Sequence, residues 1–150
     1  MVTHDVDEAD IRHVIDALID AICAMDLEAL KQIYTPDIVT FDVGGPLQRS
    51  GTEAKLGNWV EAFAAFQSPL GYEIRDLAIT SSGEVGFAHS LARLSGTLKN
   101  GTASAGFWVR LTACLRKIDD HWLIAHDHVS VPVDPASGKA TLTRELPDSP

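Results

Sequence analysis

Residues 85–118, VGFAHSLARLSGTLKNGTASAGFWVRLTACLRKI, decide the fold predicted for this chain. Two long runs of strand-forming residues flank Asn100-Gly101 in this stretch. Asn-Gly is the dipeptide best suited to a two-residue β-hairpin turn, because both of its residues adopt positive φ at low cost. The stretch therefore predicts two long antiparallel strands, with Lys99 paired to Thr102.

Outward from this hairpin, the chain predicts three helices and further strands. Apolar residues repeat at three and four positions along residues 8–25, which is typical of an amphipathic helix. Asp26 suits the N-cap of a short second helix that includes Tyr34 and ends near Pro36. The remaining predicted elements are a strand at 38–43, a third helix at 52–66 and strands at 72–80 and 122–133, with turns at Ser82-Gly83 and Asp119-Asp120.

Helices first and an antiparallel meander second indicate an α+β domain whose helices cover one face of a curved sheet. The 150 residues fit one domain, which we place at 1–133, followed by a loosely held C-terminal tail at 134–150.

The net charge of −9 argues against a nucleic-acid partner. No apolar run is long enough to span a membrane, and the acidic start does not resemble a signal peptide. The two cysteines have no metal-type spacing, so we expect reduced thiols in a cytoplasmic protein.

Counting from the hairpin turn assigns the side chains of its two strands to two faces. The apolar face should meet the helices, because only there can it leave water. This inner face holds Ala88, Ser90, Ala92, Leu94, Phe107, Val109, Leu111 and Ala113. The outer face holds His89, Leu91, Arg93, Trp108, Arg110 and Thr112. Arg93 falls directly across from Trp108, a placement that favours a cation–π contact.

The last predicted strand carries two histidines at alternate positions, in WLIAHDHVS (residues 122–130). Residues two apart on a strand share a face. If Asp119-Asp120 is a two-residue turn, His126 and His128 point inward and Asp127 points outward. A one-residue bulge would reverse this facing and place the histidines beside Arg110 on the outer face.

Short motifs give the chain a resemblance to a known superfamily. They are Ala24-Met-Asp26-Leu27, Thr40-Phe41-Asp42, Arg49-Ser50-Gly51-Thr52 and the segment 122–130. Over residues 8–133 the layout resembles the nuclear-transport-factor-2-like (NTF2-like) superfamily, a cone of three helices wrapped by a bent sheet, and within it the SnoaL-like proteins. That superfamily includes steroid Δ-isomerases, scytalone dehydratase, limonene epoxide hydrolase and SnoaL-like polyketide cyclases. The resemblance implies the same fold for this chain.

The steroid isomerases allow a comparison residue by residue. The resemblance places their general-base aspartate on Asp42. Their oxyanion-donating tyrosine falls on Leu18, and their second donor, a protonated aspartic acid, falls near Ala113. Because both donors are missing, we do not expect steroid-isomerase chemistry as that family performs it. His126 falls on a position that lines the isomerase pocket.

Asp42, His126 and His128 are the predicted catalytic residues. Asp42 would act as a general base, and either histidine would polarise a substrate oxygen or return the proton. No metal is expected, because His-x-His has no evident third ligand, and no cofactor is expected, because the chain has no nucleotide-binding glycine loop. The predicted ligand-binding residues are Trp59, Phe63 and Trp122.

Two classes of function remain open at this point. The first is a cofactor-independent isomerase, dehydratase, cyclase or hydrolase for a small, largely apolar molecule that carries a carbonyl or hydroxyl group. The second is a non-catalytic small-molecule-binding or dimerisation domain, in which Asp42 bonds turn amides and the histidines are structural. Arginine and aromatic residues are enriched at interfaces, so a homodimer is expected through the outer sheet face. The predicted interface residues are His89, Arg93, Trp108, Arg110 and Asp127.

Overall fold

Within residues 3–147, three helices pack on one face of a curved, mainly antiparallel sheet. The structure is a computed structural model that describes this range; residues 1–2 of the predicted domain and 148–150 of the predicted tail lie outside the described residues. The helices are α1 (Thr3–Cys23), α2 (Leu27–Lys31) and α3 (Thr52–Phe63). The strands are β1 (Tyr34–Phe41), β2 (Arg49–Ser50), β3 (Gly71–Ser82), β4 (Val85–Thr97), β5 (Ala103–Ser104), β6 (Trp108–Ile118) and β7 (His121–Ser130).

The sheet has the strand order β2-β1-β7-β6-β4-β3, and β5 pairs with β4 beside this path. Neighbouring strands are antiparallel except for β1 and β7, which run parallel. The meander of β3, β4, β6 and β7 confirms the hairpin-linked strands that the sequence predicts. Because β1 lies beside the last strand, Thr40 and Asp127 become direct neighbours although they are distant in sequence.

The apolar stripe of α1 supplies much of the core, as the spacing predicts. Four isoleucine and leucine side chains of this stripe are at most 5 % exposed: Ile11, Ile15, Leu18 and Ile22. They pack in one cluster with Leu115, Trp122 and Ile124 of the sheet. None of the helices within residues 3–147 is long and apolar enough to cross a membrane.

The second helix ends earlier than predicted. It begins at the predicted N-cap, where the Asp26 carboxylate accepts a hydrogen bond from a first-turn N–H at 3.1 Å. It ends at Lys31, however, and Tyr34 is the first residue of β1 instead of part of the helix. The Ile124 N–H donates to the Ile33 carbonyl at 2.8 Å, so the chain already enters the sheet at this point.

The central hairpin differs from the prediction by one residue at its turn. The Leu98 N–H donates to the Thr102 carbonyl at 2.8 Å, so the predicted pairing of Lys99 with Thr102 is wrong. A bulge around Gly106, where φ is +70°, cancels the shift. Only glycine fits there, because a Cβ would lie 1.9 Å from the Leu94 carbonyl oxygen. Beyond the bulge, β4 and β6 pair in the predicted register, and the two predicted faces are confirmed.

The last hairpin has the two-residue turn that the predicted facing assumed. Ile118 pairs with His121 across Asp119-Asp120, and both aspartates have positive φ. Within β7, however, the pairing with β6 slips by one residue at Ala125, which has no partner on β6. This β-bulge exchanges the two faces for the rest of the strand.

The bulge corrects the predicted orientation of the histidine segment. Asp127 points inward and is 5 % exposed, whereas His126 and His128 lie on the outer side of the sheet. The prediction that the histidines face inward and Asp127 outward is therefore wrong. The alternative with a bulge describes the facing correctly, although the extra residue lies inside the strand instead of at the turn.

The segment after β7 folds back onto the sheet. Val133 pairs with Ala140 across a short turn, and the Trp108 N–H then donates to the Thr143 carbonyl at 2.8 Å. Thr143 thus lies beside the start of β6, beyond the end of β7. Backbone pairing therefore extends beyond the predicted boundary at residue 133.

Candidate active site

A cavity of about 510 Å³ opens between the inner face of the sheet and helices α1 and α3. Its walls are mainly apolar and aromatic, with Leu18, Trp59, Phe66, Leu94, Phe107 and Leu111 among the lining residues. A volume of this size is typical of a site for a small organic molecule. The polar groups inside it therefore decide what the cavity can bind or do.

Two carboxylates and one ammonium form a buried network at the wall of this cavity. The Lys55 Nζ lies 3.2 Å from Asp42 Oδ1 and 3.0 Å from Asp127 Oδ2. It also donates to the Thr40 Oγ1 at 3.1 Å. The three charged side chains are 2–8 % exposed. Their formal charges sum to −1.

Local folding explains why these side chains meet. Thr40 and Asp127 are paired neighbours on the parallel strands β1 and β7, and Asp42 follows two residues beyond Thr40. The start of α3 is tied to β1, since the Thr52 hydroxyl donates to the Thr35 carbonyl at 2.8 Å. One turn later, the Lys55 side chain reaches β1 and β7.

Lys55 positions the two carboxylates. An ammonium has three N–H donors, and here they meet Asp42, Asp127 and Thr40. The Nζ atom also lies 5.8 Å from the ring centre of Tyr34 and 5.6 Å from that of Trp59. A lysine so fully engaged holds its partners in place and does not act as a nucleophile.

Asp42 keeps more acceptor capacity than Asp127. The Thr40 hydroxyl has one hydrogen, which makes its close contact with Asp127 Oδ1, while Asp42 Oδ2 lies farther away at 3.3 Å. Both oxygens of Asp127 are therefore engaged, one by Thr40 and one by Lys55. Asp42 Oδ2 is the carboxylate oxygen best able to accept a proton from a molecule in the cavity.

The two tyrosines of the chain also line the cavity. Burial raises the pKa of the Tyr34 and Tyr72 hydroxyls, and the Asp127 charge raises both further. The phenols therefore remain protonated at neutral pH and can donate hydrogen bonds. The Trp59 indole N–H donates to the Tyr34 oxygen at 2.8 Å, which leaves the Tyr34 proton for another acceptor.

The predicted ligand-binding residues have different positions. Trp59 lines the cavity, and Phe63 is 8 % exposed behind it, stacked at 5.4 Å between ring centres. Trp122 does not line the cavity. It is 4 % exposed in the core, and its indole N–H donates to the Asp7 carboxylate at 3.3 Å.

The two histidines lie away from the cavity. The His126 Nδ1 donates to the Val39 carbonyl at 2.6 Å, and its ring meets Phe41 edge-on at 4.7 Å. His128 is exposed on the same side, 5.5 Å from the Phe41 ring. The contacts of His126 tie β7 to β1. Among residues 3–147, no three His, Cys, Asp or Glu side chains are grouped as a metal site requires.

The predicted outer surface is altered in two places. Asp127 has turned into the cavity, and Trp108 is only 5 % exposed. The guanidinium of Arg93 lies 4.8 Å from the Trp108 ring centre, which confirms the predicted cation–π contact. His89 and Arg110 are exposed on the outer face, as the register predicts.

Sequence reasoning missed Lys55, Tyr34 and Tyr72 and placed Asp127 on the wrong face. A signal for Lys55 was present: Lys55, Trp59 and Phe63 are spaced at four residues, so the lysine lies on the apolar stripe of α3. A lysine on the apolar stripe of a helix needs a buried partner for its charge.

Replacing the central ammonium tests the network. We expect Lys55→Met to lower the free energy of unfolding by about 3–5 kcal/mol, because two buried carboxylates lose their counter-ion. Chemical denaturation measures the effect. The matched control is Lys31→Met, which removes an exposed ammonium 4.0 Å from Glu53; equal stability losses for the two variants would contradict the assignment.

Ultraviolet titration tests the burial of the phenols. Because folding raises the pKa of both tyrosines above 10.0, folded protein should show no tyrosinate absorbance near pH 10, whereas protein in denaturant should. The folded state then binds more protons than the unfolded state above that pH, so this contribution to stability is complete below pH 10 and is lost as the pH rises. A tyrosinate signal with a midpoint near pH 10 in protein with native circular dichroism would refute the prediction.

Comparison with known proteins agrees with this architecture. A family model described as a SnoaL-like domain matches residues 11–134. No curated protein matches the chain. An NTF2-like protein of unknown function from Pseudomonas putida is 27 % identical, with a TM-score of 0.82 over 92 % of this chain and 95 % of that one.

Two further solved structures share the fold. An NTF2-like superfamily protein from Salmonella enterica is 19 % identical, with a TM-score of 0.78 over 91 % of this chain and 99 % of that one. A ketosteroid isomerase-like protein from Erwinia carotovora is 23 % identical, with a TM-score of 0.69 over 83 % of this chain and 95 % of that one. Since the family model spans most of the sequence, the chain belongs to the SnoaL-like family of the NTF2-like superfamily.

Proposed function

We propose that the protein is a cofactor-independent acid–base enzyme for a small, largely apolar molecule that carries a carbonyl or hydroxyl group. One observation carries the proposal: Asp42 lines a mainly apolar cavity, with a spare carboxylate oxygen, in a network held by Lys55. A carboxylate in such surroundings is suited to general acid–base catalysis. Isomerisation, dehydration, cyclisation and hydrolysis all belong to this chemistry.

Asp42 acts as the base in this proposal. Its Oδ2 takes a proton from a carbon next to a substrate carbonyl, and the carbonyl oxygen gains the negative charge. The Tyr72 hydroxyl, kept protonated by its raised pKa, donates a hydrogen bond to that oxygen. Asp42 then returns the proton to another carbon, which completes an isomerisation, or to a hydroxyl that leaves as water, which completes a dehydration.

Asp127 and Lys55 position the base. Both oxygens of Asp127 are engaged by Thr40 and Lys55, so this carboxylate anchors the ammonium that orients Asp42. The proposal thus keeps Asp42 in the predicted catalytic role. It transfers the role predicted for His126 and His128 to the phenols, because the histidines do not reach the cavity.

A non-catalytic binding domain is the alternative, and the network itself favours it in one respect. Asp42, Asp127 and Thr40 each contact Lys55 within the chain, as expected if the network only closes one wall of a ligand cavity. Binding of a metabolite without turnover would then be the whole function.

Substitution of the proposed base separates the two functions. On a panel of cyclic enones and β-hydroxy ketones, Asp42→Asn should lower turnover at least about 100-fold, because the amide cannot accept the proton. The matched control is Asp37→Asn, which changes an exposed aspartate of the same strand, 2.7 Å from Arg116. Initial rates and circular dichroism are measured for both variants. Equal rates in wild-type protein and Asp42→Asn would exclude Asp42 as the base, and ligand binding without turnover would favour the alternative.

We also propose that the chain forms a homodimer through the outer sheet face. A groove of about 310 Å³ on this face is lined by Asp76, His89, Leu91, Arg110 and Thr112, among others. The groove contains both a negatively charged and a positively charged side chain. Arg110 of one copy can therefore form an ion pair with Asp76 of another across a two-fold axis. Phe87, which is 45 % exposed nearby on β4, adds apolar area.

The cytoplasm is the proposed location, since the free thiols of Cys23 and Cys114 suit a reducing compartment.

Charge reversal tests the dimer. Arg110→Glu should convert dimers to monomers in sedimentation velocity, because it places like charges opposite one another at the proposed contact. Arg12→Glu, at an exposed site on α1, serves as the control and should leave the sedimentation coefficient unchanged. An Arg110→Glu protein that still sediments as a dimer would refute this interface.

A further inference from the structure

The cavity has a second polar end, formed by the segment after β7. Leu142 and Arg144 both line the cavity, together with Ser104 and Gly106 at the β5–β6 bulge. The Arg144 side chain is exposed, and its Nη1 donates to the Gly106 carbonyl at 3.3 Å. The mouth of the cavity therefore carries a guanidinium.

Backbone contacts fix the position of this arginine. The Trp108 N–H donates to the Thr143 carbonyl at 2.8 Å, which aligns the segment with β6. The Arg93 guanidinium donates to the Arg144 carbonyl at 3.3 Å. Arg144 is thus held at the mouth by its own main chain, while part of its guanidinium remains able to bind a further acceptor.

Four other arginines of the chain already have a carboxylate partner. Arg12, Arg49, Arg93 and Arg116 each lie within 4.0 Å of a glutamate or aspartate oxygen. Within residues 3–147, no carboxylate lies at that distance from Arg144. A guanidinium with free N–H donors at a cavity mouth is suited to an oxyanion, which it can bind through two parallel hydrogen bonds.

The charges at the two ends orient an anionic ligand. The network of Lys55 with Asp42 and Asp127 has a formal charge of −1 and disfavours a second anion beside it. Asp127 lies opposite Ala113 on β6, and Thr143 lies opposite Trp108. These two positions on β6 are separated by about 17 Å along an extended strand, at about 3.4 Å per residue. An elongated molecule can therefore place its anionic group near Arg144 and its other end near the Lys55 network, of which Asp127 and Asp42 are part.

We infer that Arg144 is a specificity-determining residue that binds a carboxylate or sulfonate group of the ligand. The ligand class is an elongated, mostly apolar molecule, aromatic or alicyclic, with a single oxyanion at one end. That its other end carries the reacting carbonyl or hydroxyl rests on the proposed function. The anion site itself concerns binding and is tested without turnover.

Two fluorescent dyes that differ by one sulfonate make a direct test. Anilinonaphthalene sulfonate carries the anion, and N-phenyl-1-naphthylamine is its uncharged counterpart. In fluorescence titrations, Arg144→Gln should weaken binding of the sulfonate about tenfold or more, as for loss of a charge-assisted hydrogen bond, and change binding of the neutral dye by less than about twofold. Arg12→Gln, which alters an exposed arginine of α1, should change neither dissociation constant.

A cavity-filling variant shows where the dyes bind. Ala62 lines the cavity, so Ala62→Phe, or Ala62→Leu if the larger residue impairs folding, should weaken binding of both dyes. Equal effects of Arg144→Gln on the two dyes would overturn the anion site. Binding that is unchanged in the filling variant would also overturn it, because the dyes would then lie elsewhere. A preference for the sulfonate that depends on Arg144, combined with no Asp42-dependent turnover, would support the anion site and refute the proposed chemistry.

Discussion

The ion pairs of Lys55 with Asp42 and Asp127 are the interaction on which the site depends. Taking three charges out of water costs several kcal/mol for each ion, and a low-dielectric interior offsets that cost only when the geometry satisfies every group. Here the three donors of one ammonium meet two carboxylates and the Thr40 hydroxyl. Because Lys55 lies on α3 and its partners on or next to β1 and β7, this pairing holds α3 against the two strands. It also brings a carboxylate to the wall of an apolar cavity, where a less well-paired charge would not be stable.

Much of the fold could be predicted, because it follows from local chemistry. The spacing of apolar residues marked α1, Asp26 marked the start of α2, and turn residues marked the meander. Two of the errors are shifts of one residue: the hairpin loop is longer by one, and a bulge at Ala125 adds one within β7. Such bulges are selected by packing between distant strands. Alternation along a single strand carries no signal for them, yet each one reverses every side chain that follows.

The candidate site was less accessible to prediction for the same reason. Asp42 was identified because the short motif around it resembles that of the family's catalytic aspartate. Such a motif can be read from neighbouring residues alone. Asp127 reaches the cavity only through the bulge, and Tyr34 does so because the second helix ends three residues before it. Lys55 was present in the apolar phase of α3, but lysines usually lie on solvated faces, and its partners come from two other elements. Nonlocal pairing therefore decides the chemistry of the cavity more than any single motif does.

The bulge at Ala125 links these features into one constraint. Without it, β7 would turn His126 and His128 towards the helices, and Lys55 would face imidazoles where it now pairs with Asp127. With it, His126 binds β1 from the outer side, and the inner side keeps the carboxylates. The second bulge, at Gly106, acts at the opposite end, where it meets the Arg144 side chain. One extra residue in each of two strands thus separates a carboxylate end from a guanidinium end within a single apolar cavity.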